Sequence, residues 1–315
     1  MKIHHSLDHF KAKNPVITIG TFDGVHLGHR KVIDQLNRIA TQVGGESVLF
    51  TFYPHPRLVI AKNESNLRLL TTLDEKTRLL DESGVDHMVV YPFDENFAAL
   101  TYQEFIKHIL IERMGIHTLV VGHDHRLGRN REGSYDKIVE LSKELNFNVE
   151  KIDALLIDEV DISSSKIRKA LQEGNIEKVN SYLGYRFTIH GNVALGNQIG
   201  RSIGFPTANI EASDPYKIIP AEGVYAITVE INGKIHKAML NIGYRPTLDA
   251  NADKRTIEAH LFDFNEDIYR KEVILRFYKR IRDERKFASL DLLKAQLKSD
   301  QEQVLVILNH TDLSK

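Results

Sequence analysis

The chain has 315 residues, about twice the ~150 typical of a domain, and its 42 Lys+Arg against 43 Asp+Glu leave a formal net charge of −1. That balance excludes the electrostatic footprint of a nucleic-acid or anionic-membrane binder. With 42% hydrophobic and 27% charged residues the chain is of globular type, and the absence of cysteine removes disulfides, thiolate metal sites and cysteine nucleophiles together. The longest apolar run, Val304 to Leu308, is five residues against the ~18 a membrane span needs, and Met1 to His5 lacks the apolar core of a signal peptide. The expectation is a soluble, cytoplasmic protein with no nucleic-acid or membrane partner.

From residue 16 to about 160, short apolar runs alternate with helical periodicity, the pattern of βαβ units and a mostly parallel sheet. Val16–Gly20, Val48–Phe52, Met88–Val90 and Leu119–Gly122 read as strands. Val32, Ile33, Leu36, Ile39, Ala40 and Val43 predict one face of a helix that stops at Gly44-Gly45. A helix from Ser163 or Ser164 to Gly174 and a second from Ile176 to Leu183 are expected to close this first domain, 1–184. In 185–315, strands are predicted at Val224–Ile231, Ile235–Leu240, Thr256–Phe264 and Val273–Phe277, with Asn232-Gly233 as a two-residue hairpin turn. A helix over about 289–309 ends the chain, with Leu290, Leu293, Leu297, Val304 and Leu308 as its expected buried side. The fold expected is an α/β, Rossmann-like parallel-sheet domain followed by a small antiparallel barrel or sandwich with a C-terminal helix.

Directly after the first strand comes Gly20-Thr21-Phe22-Asp23-Gly24-Val25-His26-Leu27-Gly28-His29, and the helix follows at once. Two histidines three residues apart therefore sit at the positive end of a helix at the mouth of a parallel sheet, where such sheets bind anions. Gly24 and Gly28 are expected to let backbone approach a phosphate, and the imidazoles to stabilise charge growing on it. On residue types alone, a metal site or two solvated loop histidines compete with this reading. Ser163-Ser164-Ser165-Lys166-Ile167-Arg168 places hydroxyls and cations at another helix start, open both to an anion site and to a plain cap. Thr51–Arg57, with His55, and Gly122–Gly128, with Asp124, put further polar groups on the same sheet edge. Neither a P-loop nor G-x-G-x-x-G is present, since Asn197 stands where a P-loop requires Lys.

In the second half, Gly191, Gly200, Arg201, Gly204 and Pro206 lead into Thr207 and Asn209, which point the same way on extended chain. A hydroxyl and an amide oxygen suit a hydrated Mg²⁺ carrying ATP phosphates, and a structural turn explains them equally. Alternation along Thr256–Phe262 puts Glu258 on the face opposite Ile257 and Ala259, toward a groove, where it would accept a proton, or toward water. The basic stretch Arg276 to Lys286 reads first as a solvated face and second as part of a segment covering a ligand.

Gly20–His29, with the three other segments in this order, resembles the HxGH-type FMN adenylyltransferase half of the bacterial bifunctional riboflavin kinase/FAD synthetase family. The order G-x-V, G-F-P-T-A-N, Gly223-Val224-Tyr225, Asn241–Thr247 and Ile257-Glu258-Ala259-His260 resembles riboflavin kinase. The resemblance implies phosphorylation of riboflavin to FMN in 185–315, then adenylylation of FMN to FAD in 1–184, with Mg²⁺-ATP and flavins as the small-molecule partners. It further implies that His26 and His29 hold the ATP phosphates, with Gly20, Phe22, Asp23, Gly28, His55 and Asp124 at the nucleotide and Ser164, Lys166 and Arg168 closing over it. In the barrel it implies nucleotide binding by Gly191, Gly200, Arg201, Gly204, Pro206, Thr207 and Asn209, with Thr207 and Asn209 at Mg²⁺ and Glu258 as general base. The chain carries His125 and Leu127 where the family shows Phe. A kinase-only chain and a non-catalytic flavin- or nucleotide-binding regulator are the alternatives.

Overall fold

The structure, a computed structural model, describes residues 1–60, 67–122, 126–152, 162–195, 204–244 and 255–313. Expectations placed on Asp124, His125, Gly200, Arg201 and 245–247 lie outside these residues. By compactness the chain forms two units, Met1–Ser164 and Ser165–Lys315.

The first unit is built on a parallel sheet of β1 (Lys2–His4), β2 (Val16–Ile19), β3 (Ser47–Tyr53), β4 (His87–Pro92), β5 (Thr118–Val121) and β6 (Asn148–Lys151), in the order β1-β4-β3-β2-β5-β6. All four residues of β2 are buried, because a central parallel strand is covered on both faces and so reads as an unbroken apolar run. The helix α1 (Leu27–Gln42) buries Ile33, Leu36, Ile39 and Ala40 as the periodicity predicts, and Gly44, at φ +58°, ends it in the left-handed conformation glycine adopts without strain. A second helix, α2 (Leu73–Asp81), starts with a reciprocal cap between Thr72 and Glu75. The unit also contains α3 (Tyr135–Leu145). The chain winds outward from β2 through β3 to β4, then returns to β5 on the other side of β2, so the order reverses between β2 and β5. Open α/β sheets bind ligands at the carboxyl ends of the strands flanking such a reversal.

The second unit begins with α4 (Ser164–Gln172), whose first residue closes the first unit, and α5 (Ile176–Leu183). These helices, expected with the first domain, pack on the barrel instead. Ala221 N–H donates to Leu171 O (2.9 Å), and the Asn180 amide bridges Phe277 O (2.9 Å) and Phe187 N–H (2.8 Å). The barrel is closed, in the order β10-β11-β8-β7-β12-β9, from β7 (Thr188–Ala194), β8 (Ala208–Ala212), β9 (Gly223–Ile231), β10 (Lys234–Tyr244), β11 (Arg255–Leu261) and β12 (Glu272–Arg282). Every neighbouring pair is antiparallel. Asn232 and Gly233 both take positive φ (51° and 77°), as a tight hairpin turn matched to strand twist requires.

The C-terminal helix α6 (Leu290–Asn309) buries Val304 and Leu308 but not Leu290, which is 61% exposed in the first turn. Asp300 on this helix is as buried as Val304, 0% exposed, and is held bidentately by Arg282 (2.7–3.0 Å). Arg276 is likewise paired with Glu230 at 2.6 Å. The stretch Arg276–Lys286 is divided: Arg276, Arg280 and Arg282 are half-buried, with β-bulges after Phe277 and Arg280 turning them toward partners on both sides, whereas Lys279 and Asp283 to Lys286 are exposed. Among the described residues no helix is long and apolar enough to cross a membrane.

Candidate functional sites in the two units

At the carboxyl end of β2, His26 caps α1: its Nδ1 accepts from the His29 N–H (3.3 Å), which leaves Nε2 to carry the proton as a donor. The His26 and His29 rings stack with centroids 3.7 Å apart, and Phe22 tilts against His29 at 5.1 Å. Phe22 and Val25 take positive φ (46° and 35°), uncommon for any non-glycine residue and strained for a β-branched one. A Cβ at Gly28 would stand 3.2 Å from the His26 ring, so the glycine makes room for the capping imidazole. Gly20 does the same for Phe22, at 2.9 Å. The Asp23 carboxylate, 2% exposed, accepts from the Leu70 N–H (2.9 Å) and Thr71 N–H (3.1 Å), which clasps the start of α2 to this loop. Ser164 Oγ donates to Asp23 O (2.9 Å), fixing the end of the first unit to the same loop.

Burial pushes the His26 pKa down to about 4, against the pull of Asp23, and burial with the neighbouring charges of His26 and Lys76 holds His29 well below the usual imidazole range. Both rings are thus neutral at pH 7 and act as N–H donors. In the unfolded chain they protonate near pH 6.5, so between pH 6.5 and 4 the unfolded state binds protons the native state refuses. Stability present above pH 6.5 is accordingly lost on acidification, by about 3 kcal/mol from His26 alone. Urea denaturation of the first unit's signal at pH 7.5 and pH 4.5 checks this; equal midpoints would contradict it.

Beside this loop lies a cavity of about 520 Å³ lined by Gly20, Phe52, Phe93, Phe97, Phe105 and Leu127, with Arg126, Arg129 and Arg131 also on its wall. Phe52, Phe93 and Phe97 pack mutually at 5.3–5.5 Å between ring centroids. Leu127 is buried in the same core, so four phenylalanines supply the aromatic wall where Leu127 lacks a ring. His55 follows β3, half-buried, its Nδ1 accepting from the Arg57 N–H (3.2 Å). Lys166 and Arg168 stand on the first turns of α4, exposed and half-buried respectively.

In the barrel, Glu258 on β11 pairs in register with Asn209 on β8, and Thr207 precedes β8 by one residue. A cavity of about 400 Å³ is lined by Glu258, Thr207, Asn241, His260, Arg282 and apolar Phe205, Met239 and Leu297, among others. A second, of about 360 Å³, is lined by Pro206, Thr207, Ala208, Ala259 and residues Phe264 to Tyr269. Thr207 thus borders both. Its segment is held by His260, whose Nδ1 lies 2.7 Å from Pro206 O, a contact only the Nδ1–H donor form makes. Gly191 lies within β7, where a Cβ would stand 2.5 Å from Glu211 O; the close approach it permits is strand to strand. Gly204 is exposed at φ +85°, the turn into this segment. Sequence reasoning missed the phenylalanine cavity, whose rings come from distant segments, and the clasp made by Asp23.

An HxGH loop at the switch point of a parallel sheet, joined in one chain to a closed barrel whose Glu and Thr border paired cavities, defines a two-part nucleotide-dependent transferase. The FAD synthetase family model matches residues 9–166 and the riboflavin kinase family model residues 183–308. The chain is 36% identical over 303 residues to the bifunctional riboflavin kinase/FMN adenylyltransferase of Bacillus subtilis, covering 96% of this chain and 95% of that one. It is 37% identical over 298 residues to the protein of that description from Escherichia coli, covering 94% of each. A solved structure described as a macrolide-efflux protein from Streptococcus pneumoniae superposes with a TM-score of 0.84 at 30% identity, over 98% of this chain and 99% of that one. The chain belongs to the bifunctional riboflavin kinase/FMN adenylyltransferase family.

Proposed function

We propose that the protein phosphorylates riboflavin to FMN in 185–315 and adenylylates FMN to FAD in 1–184. The observation that carries this is likeness along the whole chain to enzymes bearing both activities, with a site in each half. In the kinase step the riboflavin 5′-hydroxyl attacks the γ-phosphorus of ATP, its proton passes to Glu258, and ADP leaves. The largely apolar cavity with Glu258 suits the flavin, the other the nucleotide, and Thr207 stands where the phosphoryl group crosses. Thr207 and Asn209 offer oxygen donors on one side of the strand, a set that fits Mg²⁺. That ion would neutralise the ATP phosphates; alignment and charge balance dominate phosphoryl transfer.

In the adenylyl step an FMN phosphate oxygen attacks the α-phosphorus of ATP, the bond to the β-phosphate bridging oxygen breaks, and pyrophosphate leaves. The neutral His26 and His29 donate N–H groups toward that charge. The phenylalanine cavity accommodates the isoalloxazine ring, and Arg126, Arg129 and Arg131 its phosphate. Ser164, Lys166 and Arg168 complete the nucleotide contacts in this reading. An ATP-dependent enzyme of this kind works in the cytoplasm. Incubation with riboflavin and Mg²⁺-ATP, followed by chromatography over time, is expected to show FMN rising first and FAD after it. Arrest at FMN would leave the kinase alone, and no product from folded protein would favour a binding role.

A further inference from the structure

Lys76 lies on the core side of α2, one turn after Leu73 and one before Leu80, and is only 7% exposed. A buried ammonium is costly unless paired and hydrogen-bonded. Yet among the described residues its Nζ makes no hydrogen bond and no ion pair. The facing carboxylate, Asp23, acts on it only through space, because its oxygens are taken by the Leu70 and Thr71 amides. Burial lowers the Lys76 pKa to about 8. Next to it, His29 carries an Nδ1 that is buried and without a hydrogen-bond partner, and the Lys76 charge bears directly on that ring. An unpaired cation and an unsatisfied imidazole therefore stand together at the carboxyl edge of the sheet, beside the positive end of α1. Such a pair lacks acceptor oxygens, and phosphate provides them.

We propose that Lys76 binds the phosphate chain of ATP in the adenylyl-transfer site and supplies positive charge beside the His26–His29 pair. The assignment rests on the reading of the first half as the site of FAD formation. It also accounts for the clasp: Asp23 gathers the amides that begin α2 and so fixes the helix that carries Lys76 against the histidine loop. A Lys on this helix without such a role gains nothing from being buried, and an apolar side chain of the same length would serve the core equally.

The test uses the full-length protein, with FAD formation from supplied FMN measured across ATP concentrations and riboflavin phosphorylation followed in the same preparation. Lys76→Met is expected to raise the KM for ATP in FAD formation at least tenfold, with riboflavin phosphorylation and thermal stability unchanged. Lys76→Arg, which keeps the charge, is expected to retain most of the affinity. In the unsubstituted protein that KM is expected to climb as pH rises from 7 to 9.5 and the ammonium is lost. The groups facing Lys76 are Asp23, His29 with His26 stacked behind it, and Glu75, whose carboxylate turns back to the Thr72 N–H; both imidazoles are already neutral in that range. An unchanged KM in Lys76→Met, equal losses in Met and Arg variants, or a flat pH series in the unsubstituted protein overturns the assignment. Where Lys76→Met fails to fold, the pH series decides alone. Unsubstituted protein that makes FMN but no FAD overturns the underlying reading instead.

Discussion

Glu258→Gln is expected to slow riboflavin phosphorylation by about 10²–10⁴-fold, the range lost when a positioned general base is removed. The substitution keeps the size of the side chain and its place opposite Asn209, and removes only the capacity to take a proton. Because Glu258 shares its cavity with Thr207, which also borders the neighbouring one, the proposed base stands beside the proposed meeting point of flavin and nucleotide. FAD formation from supplied FMN runs on the other unit and is expected to stay at its original rate, an internal check that the chain is intact. The measurement is the initial rate of FMN formation at saturating riboflavin and ATP. A rate within a few-fold of the unsubstituted enzyme would remove Glu258 from the reaction.

His29→Ala is expected to produce the converse pattern, cutting FAD formation by about 10²–10³-fold, as loss of one donor aimed at developing charge does elsewhere. His29 is the better choice than His26, since His26 also caps α1 and its removal would mix a cost of about 0.5–2 kcal/mol of helix stability into the result. His29 stacks on His26 at 3.7 Å and contributes no cap, so its loss reads on chemistry. Riboflavin phosphorylation is expected to be unaffected. The pattern to look for is FMN accumulating with FAD trailing far behind; equal slowing of both steps would point to general damage.

Much of this was legible in the residues. β2, α1, the Asn232-Gly233 turn and the existence of α6 follow from period and turn chemistry, because each is specified by neighbours close in sequence. The edge strands β1 and β6 were not, being three and four residues long with mostly exposed side chains, which leaves no apolar alternation to read. Asp300 and Lys76 share another reason. Each is a charged residue on an amphipathic helix, where period and type both say surface, and only a partner or a ligand from elsewhere in the fold makes burial tolerable. The histidines and Glu258 could be picked out as residue types at a strand end, but the role of Gly28 as clearance for His26 depends on a ring orientation that no spacing encodes. Nor does sequence order reveal that Phe52, Phe93, Phe97 and Phe105 enclose one space.

The two sheets also differ in how they come apart. An open sheet has terminal strands held on one side only, and here these are the short β1 and β6, which can fray singly while the central strands keep their partners. A ring has no such loose end: detaching any one of its six strands severs two ladders at once and exposes the shared interior around Tyr225, Phe187 and Phe277. Detaching a strand of the kinase half is therefore expected to cost more than fraying an edge strand of the adenylyltransferase half, and the barrel's central amides are expected to exchange with solvent more slowly than those of β1 and β6.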